Sequence, residues 1–206
     1  MIKSKKPKSV EVVEKIVGGV FSRIPITPNQ WTLLSLVFAA TGFMISAIYK
    51  DLAKSLILFF AAFILDYADG AVARCTGKIT KKGAYIDGIS DRFVEAFIIL
   101  GLMFYELPNI LLDSKTALAG LLFLSTMTSY TRAYADHKKV VTGLDKLTAM
   151  GGLLERFERV FILLISIAVS LYYGTRILSY SVILLIALSA VTVIQRILYS
   201  IGEAGR

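Results

Sequence analysis

FILDYADGAVARCTGKITKKGAYIDGISDRF, residues 63–93, decides how this chain is read. Four aspartates, Asp66, Asp69, Asp87 and Asp91, sit in or against segments otherwise apolar enough to cross a bilayer. A charged side chain at the bilayer centre costs about 2.5–3.5 kcal/mol on the mildest scales, so carboxylates in such helices face a polar cavity or a partner. Asp66, Asp69, Ala73 and Arg74 recur at i, i+3, i+7 and i+8, which places them on one face at the end of one helix. Asp87 and Asp91, at i and i+4, share a face at the start of the next. The turn CTGKITKKG brings the two faces together. Four converging carboxylates repel one another and give up their protons reluctantly unless a cation lies among them. Carboxylate oxygen suits hard divalent ions, with Mg²⁺ or Mn²⁺ expected where phosphate is bound as well. Gly70 and Ala73 remove bulk one turn along, which either admits a flat or phosphorylated ligand to the backbone or lets helices pack closely.

The flanking sequence agrees with a membrane setting. Of the 206 residues, 56% are hydrophobic and 18% charged, with a mean hydropathy of +0.69. That leaves too little polar material to cover a water-facing surface. Apolar runs long enough for a helix to cross the hydrocarbon core recur at 31–49, 53–74, 84–106, 116–136, 155–173 and 178–199. The expectation is an all-α, polytopic membrane protein with six transmembrane helices. It is one domain over 1–206, comprising an N-terminal segment at 1–28 and a six-helix bundle at 31–199.

SVEVVEKIVGGVFSRI, residues 9–24, places Val10, Val13, Val17, Val20 and Phe21 at helical spacing, with Glu11, Glu14 and Lys15 on the other side. This predicts an amphipathic helix lying in the membrane interface. Pro25 and Pro28 stop it, and Thr27 or Asn29 caps the next helix. Lys3, Lys5, Lys6 and Lys8 precede it without the apolar core and cleavage site of a secretory signal, so the segment is expected in the mature protein.

Cys75 is the only cysteine, which excludes an intrachain disulfide and a cysteine-based zinc site. The net charge of +8 comes from basic residues that border apolar spans instead of interleaving with exposed aromatics. Anionic lipid and phosphorylated ligands are therefore the expected partners, and nucleic acid is not. Lys50, Lys54, Lys115 and Arg176 are the only basic residues of the loops on one side. The other side holds nearly all the rest, which predicts cytoplasmic termini and a cytoplasmic aspartate cluster in a cell-membrane protein.

The segment from Asp66 to Asp91 resembles the signature of the CDP-alcohol phosphotransferase family, DxxDGxxAR(x8)GxxxDxxxD. Asp66, Asp69, Gly70, Ala73, Arg74, Gly83, Asp87 and Asp91 occupy all its fixed positions. The family's six-span layout, with the motif over spans two and three, matches nearly the whole chain. The resemblance implies a transferase that moves a phosphatidyl-type group from a CDP-linked lipid to an alcohol and releases CMP. It implies Asp66, Asp69, Asp87 and Asp91 as ligands of Mg²⁺ or Mn²⁺, expected as two ions, with Asp91 also the general base. Asp66, Asp69, Gly70, Ala73, Arg74 and Gly83 bind the cytidine diphosphate part, joined by Asn29. Family members usually form homodimers. Simple ion pairing of the aspartates with Arg74, Arg92 and the loop lysines is the competing reading, but it gives no reason for small residues at Gly70, Ala73 and Gly83.

Arg132, Arg156, Arg159 and Arg196 fall near the expected cytoplasmic ends of spans four, five and six. Any one of them reads equally well as a snorkelling helix-end residue. Together they suit an anion pocket for an acceptor that carries its own phosphate. SYTRA, ERFER and QR resemble the branch that transfers to inositol 1-phosphate, although Tyr134 stands where a second basic residue is expected after Arg132. The function expected is transfer of a phosphatidyl or archaetidyl group to inositol 1-phosphate in phospholipid biosynthesis. Glycerol 3-phosphate as acceptor and CDP-inositol as donor are the neighbouring alternatives. A divalent-cation transporter is the rival class, and it would distribute acids along several spans. Glu95 reads as a buried structural acid and His137 as solvated.

Overall fold

The computed structural model describes residues 8–204, apart from the side chains of residues 8–14 and of Leu144. Lys3, Lys5, Lys6 and Arg206 of the expected positive side therefore lie outside the described residues. So do the side chains of Val10, Val13, Glu11 and Glu14, on which the two-faced character of the first helix depends. Among the described residues every element is helical: α1 (Lys8–Phe21), α2 (Pro28–Tyr49), α3 (Leu52–Cys75), α4 (Lys81–Leu102), α5 (Ser114–His137), α6 (Leu144–Ala149), α7 (Arg156–Tyr173) and α8 (Arg176–Ala204). The six expected spans coincide with the six long helices. Three of these, α2, α3 and α8, are apolar enough by length and composition alone to cross a membrane. In α4 the charges of Lys81, Lys82, Asp87, Asp91, Arg92 and Glu95 dilute the apolar run. The described residues form two compact units, 8–105 and 106–204.

In the first unit, Thr27 is the N-cap of α2 and Pro28 opens it, where a missing N–H and a fixed φ cost nothing. The Gln30 side-chain oxygen accepts the Thr27 N–H at 2.8 Å. Lys50, left-handed at φ 51°, and Asp51 make the whole connection to α3. The Lys54 backbone N–H donates to the Asp51 carboxylate at 2.9 Å and holds it below the ordinary carboxylate range. At the same end Ser46 donates to Ser55 at 2.9 Å, a polar tie between two apolar helices. Helix α1 lies against α3 so closely that a Cβ on Gly18 would come 2.8 Å from the Ala71 carbonyl oxygen. Phe21 packs edge-on to the buried Trp31 at 5.1 Å, which fixes α1 to the start of α2 as well.

The second unit is built on α8, which packs against both α5 and α7. Leu118, Leu121, Leu163, Leu164, Ile167, Leu178 and Leu185 are fully buried there. The short helix α6, which the sequence reading did not anticipate, folds onto Ala135, Val141 and Met150, with Leu147 and Tyr199 packed alongside. A Lys146–Glu203 ion pair ties it to α8. The segment before α7 is strapped to α8 by main-chain contacts. Leu153 N–H donates to Gln195 at 3.1 Å, and Leu154 N–H donates to Thr192 at 3.0 Å.

Candidate active site

Helix α3 carries Asp66 and Asp69 in its last turns and ends at Thr76, whose N–H bonds back to Val72 O at 2.9 Å. Gly77 at φ +68° reverses the chain, a left-handed conformation that glycine adopts without strain. Thr80 then starts α4, its hydroxyl accepting the Gly83 N–H at 2.9 Å. The turn therefore brings together three of the four carboxylates expected to converge, while Asp69 stands outside that group. One carboxylate oxygen from each of Asp66, Asp87 and Asp91 lies within 4.8 Å of the other two, with Asp66 buried and its two partners half-buried.

Like charges this close repel one another, and a cation among them relieves the repulsion. Three oxygen donors at that spacing, with no His or Cys in the group, fit a hard divalent ion and not zinc.

Beside this triad lies a cavity of about 210 Å³. It is lined by Asn29 of α2, by Asp69, Gly70, Ala73 and Arg74 of α3, and by Gly83 and Asp87 of α4. Every residue expected to bind the cytidine diphosphate part therefore borders one space, except Asp66, which belongs to the carboxylate triad. Lys78 also lines it, and with Arg74 it supplies positive charge suited to phosphate oxygen. Gly83 sits where a side chain would be tight. A Cβ there would stand 3.2 Å from Asn29 Oδ1 and 3.0 Å from Thr80 Oγ1, crowding the meeting of α2 and α4.

Thr32 is the residue that sequence reading missed. Its hydroxyl donates to Asp69 Oδ2 at 2.5 Å, and both side chains are buried. The only advance signal was a hydroxyl one turn after Asn29 near the start of a mostly apolar helix. Asp91 accepts a 3.2 Å contact from the Arg92 guanidinium, which also donates to Gly88 O at 2.7 Å and is thus tied to its own helix. Glu95 is buried and His137 exposed, as expected.

In the second unit, Arg159 and Arg196 reach the same turn of α5. Arg159 Nη2 donates to Ser125 Oγ at 3.2 Å, and Arg196 Nη1 donates to the Thr128 carbonyl. Arg196 also donates to Gly151 O at 2.8 Å and to Glu155 at 2.6 Å. Both guanidinium groups are almost completely buried, whereas Arg132, one turn on along α5, and Arg156, at the start of α7, are half-buried. The last two are the more accessible to a ligand.

The family model for CDP-alcohol phosphatidyltransferase matches residues 25–195. The chain belongs to that family and is a CDP-alcohol phosphotransferase, a membrane enzyme of phospholipid biosynthesis. It is 31% identical over 202 residues to an archaetidylinositol phosphate synthase of Pyrococcus horikoshii, covering 96% of this chain and 95% of that protein. It is 28% identical over 165 residues to a phosphatidylinositol phosphate synthase of Corynebacterium glutamicum, covering 79% and 72%. Among solved structures, the phosphatidylinositol phosphate synthase of Mycobacterium tuberculosis with CDP-DAG bound superposes with a TM-score of 0.72 at 25% identity, over 91% of this chain and 93% of that one. The same enzyme has been solved with manganese and citrate.

Proposed function

We propose that this protein transfers a phosphatidyl-type or archaetidyl group from a CDP-linked lipid to the hydroxyl of inositol 1-phosphate, releasing CMP. The observation that carries the proposal is the carboxylate triad of Asp66, Asp87 and Asp91 beside a cavity lined by Asp69, Arg74 and Lys78. An acidic cluster adjoining basic side chains suits a divalent cation and a diphosphate together. Simple pairing with Arg74 and Arg92 does not account for the open space at Gly70, Ala73 and Gly83. Acids gathered where the end of α3 meets the start of α4, not strung along the helices, also argue against a cation path.

In this reading Asp66, Asp69, Asp87 and Asp91 hold Mg²⁺ or Mn²⁺, two ions being our assignment. The manganese bound by the mycobacterial relative supports the metal class. When bound, divalent cation neutralises the diphosphate and stabilises departing CMP. Arg74 and Lys78 orient the diphosphate, while Asn29, Gly70, Ala73 and Gly83 shape the pocket for the nucleotide. Asp91 takes the proton of the acceptor hydroxyl, whose oxygen attacks the lipid-bearing phosphorus. The bond from that phosphorus to the CMP oxygen breaks, and CMP carries the displaced electron pair away. Arg132, Arg156, Arg159 and Arg196 bind the phosphate of the acceptor. In this assignment Arg132 and Arg156 make first contact while the buried pair supports them.

The inositol 1-phosphate assignment is supported by the names of the archaeal and corynebacterial relatives. The family match runs through both compact units, which supports one catalytic domain. Six spans, cytoplasmic termini, a cytoplasmic site and a homodimer complete the proposal. Its test is CMP release from CDP-diacylglycerol in detergent micelles, with inositol 1-phosphate, glycerol 3-phosphate and free inositol compared as acceptors. Inositol 1-phosphate is expected to give the highest kcat/KM, by at least about tenfold. A preference for glycerol 3-phosphate would overturn the acceptor assignment and leave the family chemistry standing.

A further inference from the structure

The second unit holds another cavity, of about 300 Å³, between the C-terminal halves of α5 and α8. Met127, Tyr130 and Tyr134 of α5 face Ile197 and Ile201 of α8, with Lys138 at the end of α5. None of these residues belongs to the aspartate signature. The two aliphatic hydroxyls that border the cavity are turned onto their own helices. Thr131 donates to Met127 O at 2.9 Å and Ser200 donates to Arg196 O at 2.8 Å, so they leave apolar surface toward the space. Tyr130 and Tyr134 stack at 5.2 Å, and Tyr130 is 51% and Ile201 63% exposed, so the groove is open at its side. The Lys138 ammonium stands 5.5 Å from the centre of the Tyr134 ring. Among the described residues no acid borders the groove.

These features select the occupant. The single charge in the lining is the Lys138 cation and most of the walls are apolar, so an anion with an apolar tail matches both the charge and the walls. Tyrosines and a lysine at a helix end are also what the bilayer surface favours, the rings at headgroup level and the ammonium beside phosphate. We propose that this groove binds an anionic phospholipid, its phosphate against Lys138 and a chain along Met127, Tyr130, Ile197 and Ile201. The inference goes beyond the catalytic reading and shares with it only the membrane setting.

The test uses the full chain, purified in detergent and given equal amounts of phosphatidylglycerol and phosphatidylcholine, with retained lipid counted by native mass spectrometry. Wild type is expected to retain phosphatidylglycerol preferentially. Lys138→Gln should lower that preference about fivefold, while Lys139→Gln leaves it unchanged. Ala204→Trp, which narrows the groove, should reduce retention of both lipids and serves as the independent variant if Lys138→Gln misfolds. Equal retention of the two lipids by wild type, or an unchanged preference in Lys138→Gln, overturns the proposal. So does complete disulfide dimerisation of a Cys75→Ser, Tyr130→Cys protein in bilayers, which would mean that a second copy fills the groove. Lys138→Gln should keep wild-type CMP release, so loss of lipid preference and failure of the catalytic assignment are read separately.

Discussion

Thr32 of α2 donates its hydroxyl proton to the carboxylate of Asp69 of α3 at 2.5 Å, and neither side chain meets solvent. This hydrogen bond holds Asp69 Oδ2 toward α2 while Asp69 also borders the cavity. Second-layer contacts of this kind commonly change metal affinity or activity by 10–100-fold when removed. Thr32→Val, nearly the same shape without the hydroxyl, is expected to lower kcat/KM by about that range and to raise the Mn²⁺ concentration needed for half-maximal rate. Thr32→Ser should recover most of both. If Thr32→Val loses stability while its metal dependence is unchanged, the hydroxyl serves packing and not Asp69.

Asp91 is half-buried, and its carboxylate sits at once in the triad and against Arg92. As the proposed base, it loses function on amidation even if ligand binding survives. Asp91→Asn should reduce turnover by about 10²–10⁴-fold while metal-dependent binding of the CDP-lipid stays close to wild type. A variant that keeps its rate removes Asp91 as the base and leaves Asp66, Asp69 and Asp87 as the remaining carboxylates to examine.

Arg132 and Arg196 should separate in a single experiment. Arg196 spends its guanidinium on Gly151 O, the Thr128 carbonyl and Glu155, and it is 3% exposed. Arg196→Ala leaves those partners unmatched inside the unit. It should therefore lower Tm as well as raise KM for inositol 1-phosphate, the stability loss being about 1–3 kcal/mol for each buried carbonyl left without its donor. Arg132→Ala should raise KM for the phosphorylated acceptor about tenfold or more, with little change in Tm or in KM for the CDP donor. Equal effects of Arg132→Ala on both substrates would remove it from the acceptor site.

Most of the helical frame was legible because apolar runs and caps are local. Thr27 and Pro28 start α2 where the proline pattern said a helix begins, and Asp66 meets Asp87 and Asp91 because i, i+4 spacing puts the last two on one face. Boundaries moved where capping competed with hydropathy. The expected span 84–106 became Lys81–Leu102 because the Thr80 cap recruits two lysines and a glycine at one end. Helix α6 escaped notice because its six residues carry too short a pattern, and what orders it is packing on Ala135 and Met150 together with the Lys146–Glu203 pair. The roles of Thr32 and of the buried arginines depend on partners 34 to 68 residues away in sequence, which no periodicity can report.

The central claim is that these carboxylates grip divalent cations that in turn grip a diphosphate. Calorimetric titration of the purified protein with cytidine diphosphate, with Mn²⁺ and then with EDTA, tests it most directly. The account predicts saturable binding in Mn²⁺, at least about tenfold weaker binding after chelation, and the same loss in Asp87→Asn with Mn²⁺ present. Equally tight binding in EDTA, or no binding under any metal condition, would contradict it.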